Sequence, residues 1–569
     1  MLKTYRNPVY QYQKSRDQTA ANIAHHPLVV VGAGPVGLAA GLDAGTHGLD
    51  ALILDESNTV SVGSRAVCYA KRSLEILDRY GCAQRMVAQG VTWKVGKIFF
   101  RDELIRKFDL LPEPGHQQPA FINLQQYYLE QYMVDRLSQF DTVALRWKNR
   151  LANVENQADG SVLLTIETPD GPYQITCDWL LVADGANSTV RDLMGLKSEG
   201  QIFQDRFLIV DVVMKESAPP ERWFSFDPSY HRGWSTLLHR QADDVYRLDF
   251  QLGWDADPEV EKRPENIIPR VKAMLGEGVD FELEWASVYT FTCRRMETFR
   301  HGRMLYVGDA AHQVSPFGAR GANSGFQDID NLIWKLKRVI DKTAPEELLD
   351  SYCLERERAA DENIMNSTRS TDFITPKSGV SKCFRDAVLE LACDYQFAQA
   401  LTNSGRLSDP SFLLTSPLNT PDKDHFAGKM LPGAVADDAP MDEVIMGKIA
   451  KRVWLLSYLG TRFNVLLFVD RVTDVACAEM AKLTEQTLGT NDLSPVMILL
   501  HAPTPADTIQ VDDFNLPILF DCEGLAAQRF DAQPGTTYLI RPDQHVVARW
   551  KAFDTNNVQQ SLRKAIGLT

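Results

Sequence analysis

The chain has 569 residues, which is too long for one ordinary domain and predicts two to four domains. Hydrophobic residues make up 44% of it and charged residues 24%, as in a soluble globular protein. The formal net charge of −15 argues against nucleic acid as a partner, because proteins that bind nucleic acids carry clustered positive charge.

Cysteines, metal ligands and apolar segments give three further expectations. Nine cysteines are scattered without a C-x-x-C pair, which favours a reducing, cytoplasmic location. No group of histidines, cysteines and carboxylates has ligand spacing, so no metal site is predicted. The N-terminus lacks the apolar core of a signal peptide. The stretch WLLSYLGTRFNVLLFVD is interrupted by Gly460 and Arg462, so no membrane span is expected.

The first regular element follows a polar extension over residues 1–26. The run PLVVVGAGPVGLAAGLDAGTHGLDALILDES predicts a strand, a glycine turn, an alanine-rich helix and a second strand that ends in acid. Gly32, Gly34 and Gly37 form G-x-G-x-x-G, whose glycines permit a tight turn, the approach of a diphosphate, and helix–strand packing. Asp55 offers a carboxylate to a ribose. This pattern predicts a dinucleotide site and does not distinguish FAD from NAD.

A second glycine-containing turn, ADGANSTVR, follows the apolar strand WLLV. Its spacing places Asp184 and Gly185 in the turn, Ser188 near the start of a helix, and Arg191 within the first turns of that helix. A capped helix after a hairpin would explain this turn by itself. Three such turns, each after an apolar strand, instead indicate a ligand.

The third turn, GDAAHQVSPFGARGAN, spans Gly308–Asn323 after the strand RMLYV. Asp309 at the strand end is suited to bind polyol hydroxyls, or simply to cap a turn. The N-terminus of the helix that follows is suited to meet an electron-rich part of a ring system.

The rest of the chain predicts a sheet and an appendix. Strand-like runs such as RFLIVDVVMK and VYRLDFQLGW dominate residues 206–290 and indicate a separate sheet. Residues 401–440 are rich in Pro, Ser, Asp and Gly, which is typical of a linker. Strands with intervening helices follow over residues 441–569 and predict a compact α/β domain.

Together the three turns resemble the motifs of the class A flavoprotein aromatic hydroxylases, the family of p-hydroxybenzoate hydroxylase and phenol hydroxylase. Their order and spacing match over roughly residues 27–370. The resemblance implies an α/β fold with a Rossmann-like FAD-binding domain, an interleaved mixed β-sheet substrate domain, and a C-terminal thioredoxin-like α/β domain. The implied boundaries are 27–205 with 291–400, 206–290, and 441–569.

The resemblance implies a tightly but non-covalently bound FAD. Because the chain has only one G-x-G-x-x-G, NADH or NADPH would dock transiently as a co-substrate. The residues that the resemblance assigns to the FAD site are Gly32, Gly34, Pro35, Val36, Gly37, Asp55, Glu56, Arg65, Ala66, Gln126, Asp184, Gly185, Ser188, Arg191, Gly308, Asp309, Pro316, Gly318, Gly321, Ala322 and Asn323.

The implied reaction is the hydroxylation of a phenolic or other small aromatic substrate with NAD(P)H and O2, through a flavin hydroperoxide. The pocket is expected between the sheet and the flavin. Relatives keep an acid or a histidine two positions after the arginine site, but Val67 stands there in this chain. The phenol-activating base is therefore not identified by the sequence. Polar candidates in the sheet include Tyr230, His231, Asp249 and Tyr289, and the predicted catalytic residues are Arg247, Pro316, Tyr246 and His239.

Other functions remain open at this point. A flavin dehydrogenase or oxidase would share the FAD elements, and a redox-silent FAD-binding scaffold protein would share them too. A flavin halogenase should show W-x-W-x-x-P, which GWSTLL and EWASVY do not supply. Large relatives are often homodimers, and the resemblance extends that expectation to this chain.

Overall fold

A computed structural model of the protein describes residues 2–215, 219–402, 407–486, 493–505, 507 and 516–568. By its internal packing the chain divides into two compact units. The first unit comprises Met1–Pro112, Pro119–Ile329 and Ala360–Asp409, and the second comprises Glu113–Gln118, Asp330–Ala359 and Pro410–Thr569.

The strands of the first unit belong to two large sheets and one small sheet. They are β1 (Ala24–Val31), β2 (Ala51–Asp55), β3 (Cys68–Ala70), β4 (Val91–Trp93), β5 (Val95–Phe100), β6 (Glu103–Asp109), β7 (Phe121–Asn123), β8 (Val143–Trp147), β9 (Arg150–Asn156), β10 (Val162–Glu167), β11 (Tyr173–Val182), β12 (Ser198–Val213), β13 (Glu221–Phe226), β14 (Ser235–Arg240), β15 (Val245–Leu252), β16 (Glu282–Met296), β17 (Arg300–His301), β18 (Met304–Tyr306) and β19 (His312–Gln313).

The described part of residues 35–401 contains eleven helices, and two of them are long. They are α1 (Pro35–Thr46), α2 (Lys71–Arg79), α3 (Ala83–Gln89), α4 (Gln126–Leu137), α5 (Thr189–Leu193), α6 (Pro258–Glu261), α7 (Pro264–Leu275), α8 (Gly321–Ile340), α9 (Asp350–Ile374), α10 (Gly379–Asp394) and α11 (Gln396–Leu401). Both α8 and α9 contribute residues to each of the two units.

The first large sheet carries the dinucleotide-type turn that the sequence predicts. Its strand order is β17-β18-β11-β1-β2-β8, with β10 and β9 paired onto β11. The strands β18, β11, β1, β2 and β8 run parallel to one another. The strand β18, most of β2 and the last four residues of β1 and β11 are buried and apolar, as is typical of parallel strands covered on both faces. The turn between β1 and α1 lies at the carboxyl edge of this sheet, where α/β folds bind their ligands.

The second large sheet extends beyond its predicted range of 206–290. Its order is β19-β16-β12-β15-β14-β13-β5-β6. The two strands β5 and β6 come from residues 95–109, and β5 pairs in parallel with β13. Local patterning marks strands but not their partners, so this long-range addition was not predicted.

Alternation along β15 separates the two faces of this sheet. Tyr246, Leu248 and Phe250 pack in an apolar core with Ile267 and Val271 of α7. The intervening residues of β15 point to the opposite face, because successive side chains of a strand alternate.

The second unit has the α/β composition that the sequence predicts. Its seven-stranded sheet has the order β21-β20-β24-β23-β22-β25-β26, in which β22, β23 and β24 are parallel. The thioredoxin-like topology remains a prediction. The bounds are β20 (Pro440–Ile445), β21 (Lys448–Trp454), β22 (Phe463–Val469), α12 (Asp474–Gln486), β23 (Leu493–Leu499), β24 (Ile518–Phe520), α13 (Leu525–Phe530), β25 (Thr537–Ile540), β26 (Val546–Trp550) and α14 (Thr555–Ala565).

A fully buried ionic cluster stabilises the second unit. Glu355 accepts hydrogen bonds from Arg541 Nη1 at 2.6 Å and from Lys335 Nζ at 2.8 Å. Arg541 Nε also donates to Asp543 at 2.9 Å, and Asn331 donates to Glu355 at 2.6 Å. Every member of this cluster therefore has a partner of opposite charge or a hydrogen bond.

Among the described residues, no helix combines the length and apolar character needed to cross a membrane. In the same part of the chain no group of three or more histidines, cysteines and carboxylates is arranged to hold a metal ion.

Candidate active site

One cavity of about 780 Å³ in the first unit collects most of the predicted site residues. Its volume is within the range of small-molecule and cofactor sites. The three glycine-containing turns line one part, and the second large sheet lines another. The predicted residues along its wall are Gly32, Gly34, Pro35, Val36, Asp55, Glu56, Arg65, Ala66, Gln126, Asp184, Gly185, His239, Arg247, Asp309, Pro316, Gly321, Ala322 and Asn323.

The glycines of the first turn have the separate roles that the motif predicts. Gly32 has a φ of +102°, and a Cβ there would lie 2.5 Å from the carbonyl oxygen of Ala183. A Cβ at Gly37 would lie 1.8 Å from the Gly32 carbonyl oxygen, so helix and strand could not pack. A Cβ at Gly34 would meet no protein atom within 4 Å. The space beside Gly34, at the N-terminus of α1, is therefore open to a diphosphate.

The acid at the end of β2 is not the best ribose partner. Asp55 accepts backbone hydrogen bonds from Ala33 at 2.6 Å and from Ser57 at 2.7 Å. The next residue, Glu56, is exposed on the cavity wall and its carboxylate bonds to no described residue. Glu56 is thus better placed than Asp55 to accept hydrogen bonds from a ligand.

Asp309 and Arg65 both present charge to the cavity. Neither side chain makes a hydrogen bond or an ion pair with a described residue, although both line the wall. Asp309 opens into the cavity yet is surrounded by protein, and this burial raises its pKa while His312 and Arg65 oppose the rise. A carboxylate and a guanidinium without protein partners suit the hydroxyls and the diphosphate of FAD, so the site fits that cofactor.

The segment 64–67 is fixed from two sides. Gln126 Oε1 accepts from the Ala66 backbone at 3.0 Å. From the sheet, Arg247 Nη2 donates to the Ser64 carbonyl at 2.6 Å. Arg247 also makes a two-pronged ion pair with Asp211, with both N–O distances 2.8 Å. Arg247 therefore positions this segment instead of presenting a free charge to a substrate.

Two predicted cofactor residues act behind the cavity wall. Ser188 caps α5 by accepting from the Arg191 backbone at 3.0 Å. The Arg191 guanidinium donates to the carbonyls of Ala310 at 3.0 Å and Ala186 at 2.9 Å. Arg191 thus joins the second turn to the third, and neither residue lines the cavity.

Gly308 and Gly318 also lie outside the wall and serve the packing of the third turn. Gly308 has a φ of +56°, and a Cβ there would lie 3.0 Å from a methyl of Val36. A Cβ at Gly318 would lie 1.5 Å from Arg320 Nη1.

Tyr246, a predicted catalytic residue, is on the wrong face of the sheet for that role. Its side chain is buried in the apolar core against α7, whereas its neighbour Arg247 lines the cavity. The two residues are adjacent on β15, and adjacent strand residues point in opposite directions, so only one of them faces the cavity.

A row of polar side chains crosses the cavity face of the sheet. Arg222, His239, Arg247 and Asp211 are successive cross-strand partners on β13, β14, β15 and β12. Burial, with help from Arg222 and Arg247, lowers the pKa of His239 well below its usual value. His239 is therefore a neutral imidazole at pH 7, and its Nδ1 lies 3.9 Å from the sulfur of Cys68.

Arg222 is a functional candidate that the sequence prediction missed. It is 7% exposed, makes no ion pair with a described residue, and its buried Nη1 has no hydrogen-bond partner. Alternation in RWFSF would have grouped Arg222 with Phe224 and Phe226. Only the pairing of β13 with β14 shows that this group faces the cavity.

Asp249 belongs to the neighbouring row of the same face. It pairs with Leu237 and Ile209 across the sheet and lines the cavity. Its Oδ1 is buried without a hydrogen-bond partner. Burial raises its pKa to about 6, since the opposing attraction of Arg247 is weaker.

The remaining wall is apolar. Phe317 packs against Phe207 and Phe291, with ring centroids 5.0 and 5.1 Å apart. Val67 also lines the cavity and is 9% exposed, so the position where relatives keep a base is apolar here. These walls exclude water from a bound ring.

Comparisons with known proteins agree with this geometry. Residues 25–367 match the family model described as an FAD binding domain. A 3-(3-hydroxy-phenyl)propionate/3-hydroxycinnamic acid hydroxylase of Mycolicibacterium smegmatis is 25% identical over 523 residues, which cover 91% of this chain and 89% of that protein. A 12-dehydrotetracycline 5-monooxygenase/anhydrotetracycline 6-monooxygenase of Streptomyces rimosus is 30% identical over 379 residues, 64% of this chain and 73% of that protein.

The fold has solved counterparts. The structure of the flavin-dependent monooxygenase PieE in complex with FAD and substrate superposes with a TM-score of 0.79 at 19% identity, covering 96% of this chain and 100% of that one. The predicted FAD cofactor and the predicted family are confirmed by the family model and the named relatives. The chain belongs to the FAD-dependent aromatic hydroxylases, the flavoprotein monooxygenases that act on aromatic rings.

Proposed function

We propose that this chain hydroxylates the ring of a small phenolic acid, using FAD, O2 and NADH or NADPH. The observation that carries the proposal is that one cavity joins an FAD-type turn to a buried polar sheet face. The hydroxyphenylpropionate hydroxylase relative aligns over about nine-tenths of both chains and supports the choice of substrate class.

One group of residues is suited to bind FAD, and a second group positions the substrate side of the cavity. The backbone beside Gly34, with Glu56, Arg65 and Asp309, would hold the diphosphate, ribose and polyol of FAD. Bound FAD supplies the acceptance of hydride from the nicotinamide and the activation of oxygen.

Other residues act on the substrate side. Arg247 and Gln126 hold the segment 64–67 in place on its two sides. Pro316 and Phe317 border the ring on the apolar side, and His239 contributes a neutral imidazole to the polar side. The apolar wall keeps water from the reacting centre, which favours oxygen transfer to the ring over release of hydrogen peroxide.

The purified holoenzyme tests the proposal. It should consume NADH or NADPH faster with 3-(3-hydroxyphenyl)propionate, and product formed under ¹⁸O2 should carry one labelled oxygen. The matched control is 3-phenylpropionate, which lacks the phenol and should remain unhydroxylated. Consumption of reductant with hydrogen peroxide and no labelled product would favour the oxidase alternative. No stimulation by any phenol would favour the scaffold alternative.

The family resemblance also supports a homodimer, and the absence of disulfides among the nine cysteines suits a cytoplasmic location. Sedimentation at several protein concentrations tests the first, and cell fractionation tests the second.

A further inference from the structure

Oxygen transfer to a phenol is favoured when the phenol loses its proton, so the site needs a proton acceptor. The segment next to Arg65 does not provide one, because Val67 is apolar. The acceptor must therefore come from another wall of the cavity. Apart from the side formed by the three glycine-containing turns, the titratable side chains of the wall lie mainly on the second large sheet.

Asp249 is the carboxylate of that sheet that lines the cavity, and it has no partner among the described residues. Asp211, on the adjacent strand, is fully engaged with Arg247, whereas Asp249 Oδ1 is buried and bonds to no described residue. An unpaired carboxylate oxygen at a cavity wall is unfavourable unless a ligand completes it. The hydroxyl of a phenol is a donor of the required kind.

Charged groups of both signs act on Asp249 from the strands around it. Arg222 on β13 and Arg247 on its own strand attract its negative charge, and Asp211 on β12 opposes it. Arg222 has no ion pair with a described residue, and Asp249 is the carboxylate whose charge attracts it. The other titratable groups on the wall are Cys68, His239, Tyr289 and Arg320 and, on the side of the three turns, Asp55, Glu56, Arg65, Arg150, Asp184 and Asp309.

We propose that Asp249 is the catalytic base that takes the proton of the phenol, and that Arg222 stabilises the phenolate so formed. The inference rests on the proposed phenol hydroxylation. In this step the phenol O–H bond breaks, an O–H bond forms on Asp249, and the electron pair stays on the phenolate oxygen. The negative charge moves from the carboxylate to the ligand, so Arg222 keeps an anionic partner throughout.

His239 is the rival acceptor, and charge argues against it. Its cross-strand neighbours are Arg222 on one side and Arg247 on the other. A protonated imidazole between two guanidinium groups would place three cations in one buried row. Protonation of Asp249 instead removes a charge from a buried site. Burial raises its pKa to about 6, so the carboxylate is available as a base at neutral pH.

The test compares two phenols in the Asp249→Asn holoenzyme. With 3-(3-hydroxyphenyl)propionate, kcat should fall about 100-fold or more. With a ring-fluorinated analogue that is already ionised in solution, the fall should be less than about tenfold, because no proton remains to be removed. The control variant is Asp255→Asn, which alters an exposed carboxylate just beyond β15 and should change neither rate.

A spectroscopic readout separates proton transfer from a structural role. The ultraviolet difference spectrum of 3-(3-hydroxyphenyl)propionate bound to the unreduced wild-type holoenzyme should show phenolate at pH 7, and that band should be lost in Asp249→Asn. The wild-type kcat/KM should fall below about pH 6, the pKa of Asp249, with this phenol but not with the ionised analogue. This pH comparison holds even if the variant loses FAD.

Two results would overturn the assignment of Asp249 as the base without affecting the proposed function. Equal losses with both phenols would make Asp249 a structural counter-charge, and an unchanged variant would move the base elsewhere. Failure of the wild-type holoenzyme to hydroxylate either phenol would overturn the proposed function, and the assignment with it.

Discussion

The two buried charge clusters of this molecule are built in opposite ways. In the second unit, Glu355 receives hydrogen bonds from Lys335 and Arg541, and Arg541 also donates to Asp543. On the sheet face of the first unit, Arg222 and Asp249 retain buried polar atoms without partners. Both clusters are ionic and buried, but only in the second unit does each charged group have a partner among the described residues.

This difference indicates which of the two clusters is expected to bind a ligand. A buried charge that is fully paired contributes to the stability of the fold, and breaking it is strongly unfavourable. A buried charge that is left unpaired destabilises the fold and persists where a ligand completes it. Substitutions in the two clusters should therefore change stability in opposite directions.

The largest effect is expected in the paired cluster. Glu355→Gln should lower the free energy of unfolding by about 3–5 kcal/mol, because it leaves Lys335 and Arg541 short of negative charge. Urea denaturation followed by circular dichroism measures this change. The control is Glu523→Gln, which removes an exposed ion pair with Arg452 and should leave stability nearly unchanged.

The pH dependence of this cluster has a definite sign. Burial alone would raise the pKa of Glu355, but Arg541 and Lys335 lower it below its usual 4.5. Its stabilisation is therefore complete above about pH 4.5 and is lost as the pH falls further. Equal stabilities of Glu355→Gln and wild type at pH 7 would contradict the comparison.

The next effect should have the opposite sign. Asp249→Asn should raise the free energy of unfolding at pH 7 by about 1–3 kcal/mol, because the folded state raises the pKa of Asp249 from 3.8 to about 6. This gain should be complete above about pH 6 and should vanish as the pH falls towards 4. Urea denaturation at pH 7 and pH 4 measures it, and a loss of stability at pH 7 would break the comparison.

A smaller effect is expected from removing the unpaired cation. Arg222→Met should change the free energy of unfolding by less than about 1 kcal/mol, since an apolar side chain of similar length replaces an unsatisfied charge. The KM for 3-(3-hydroxyphenyl)propionate should rise about tenfold, the worth of a hydrogen bond to a charged group. Steady-state kinetics and thermal unfolding measure both, and Arg222→Lys should recover part of the KM. Destabilisation as large as that of Glu355→Gln would show that Arg222 is paired.

The smallest catalytic effect tests the assignment of faces within the sheet. Tyr246→Phe should leave kcat within about twofold, because Tyr246 packs away from the cavity, and should lower stability by about 1 kcal/mol. A large fall in kcat with unchanged stability would place Tyr246 on the catalytic side after all.

Much of the cofactor site was predictable because its signals are local. Gly32, Gly34 and Gly37 occur within six residues, and the conformation and close approaches that require glycine arise between the same strand and helix. Asp309 likewise follows directly after a buried strand. The choice between Asp55 and Glu56 as the ribose partner was not predictable in the same way. It depends on the backbone hydrogen bonds that occupy the Asp55 carboxylate, which the sequence does not show.

The sequence by itself determined the class of fold and a dinucleotide site, since both depend on residues close together in the chain, and the resemblance carried by the three turns implied FAD. Only the tertiary structure decided which side chains share the substrate face. Arg222, His239 and Arg247 become neighbours through strand pairing, and Tyr246 is excluded by alternation. Asp249 is identified as a candidate only because the structure shows that its buried Oδ1 has no hydrogen-bond partner among the described residues. The pairing of strands and the hydrogen bonding of buried polar groups both depend on residues far apart in the chain. They therefore cannot be predicted from local sequence patterns.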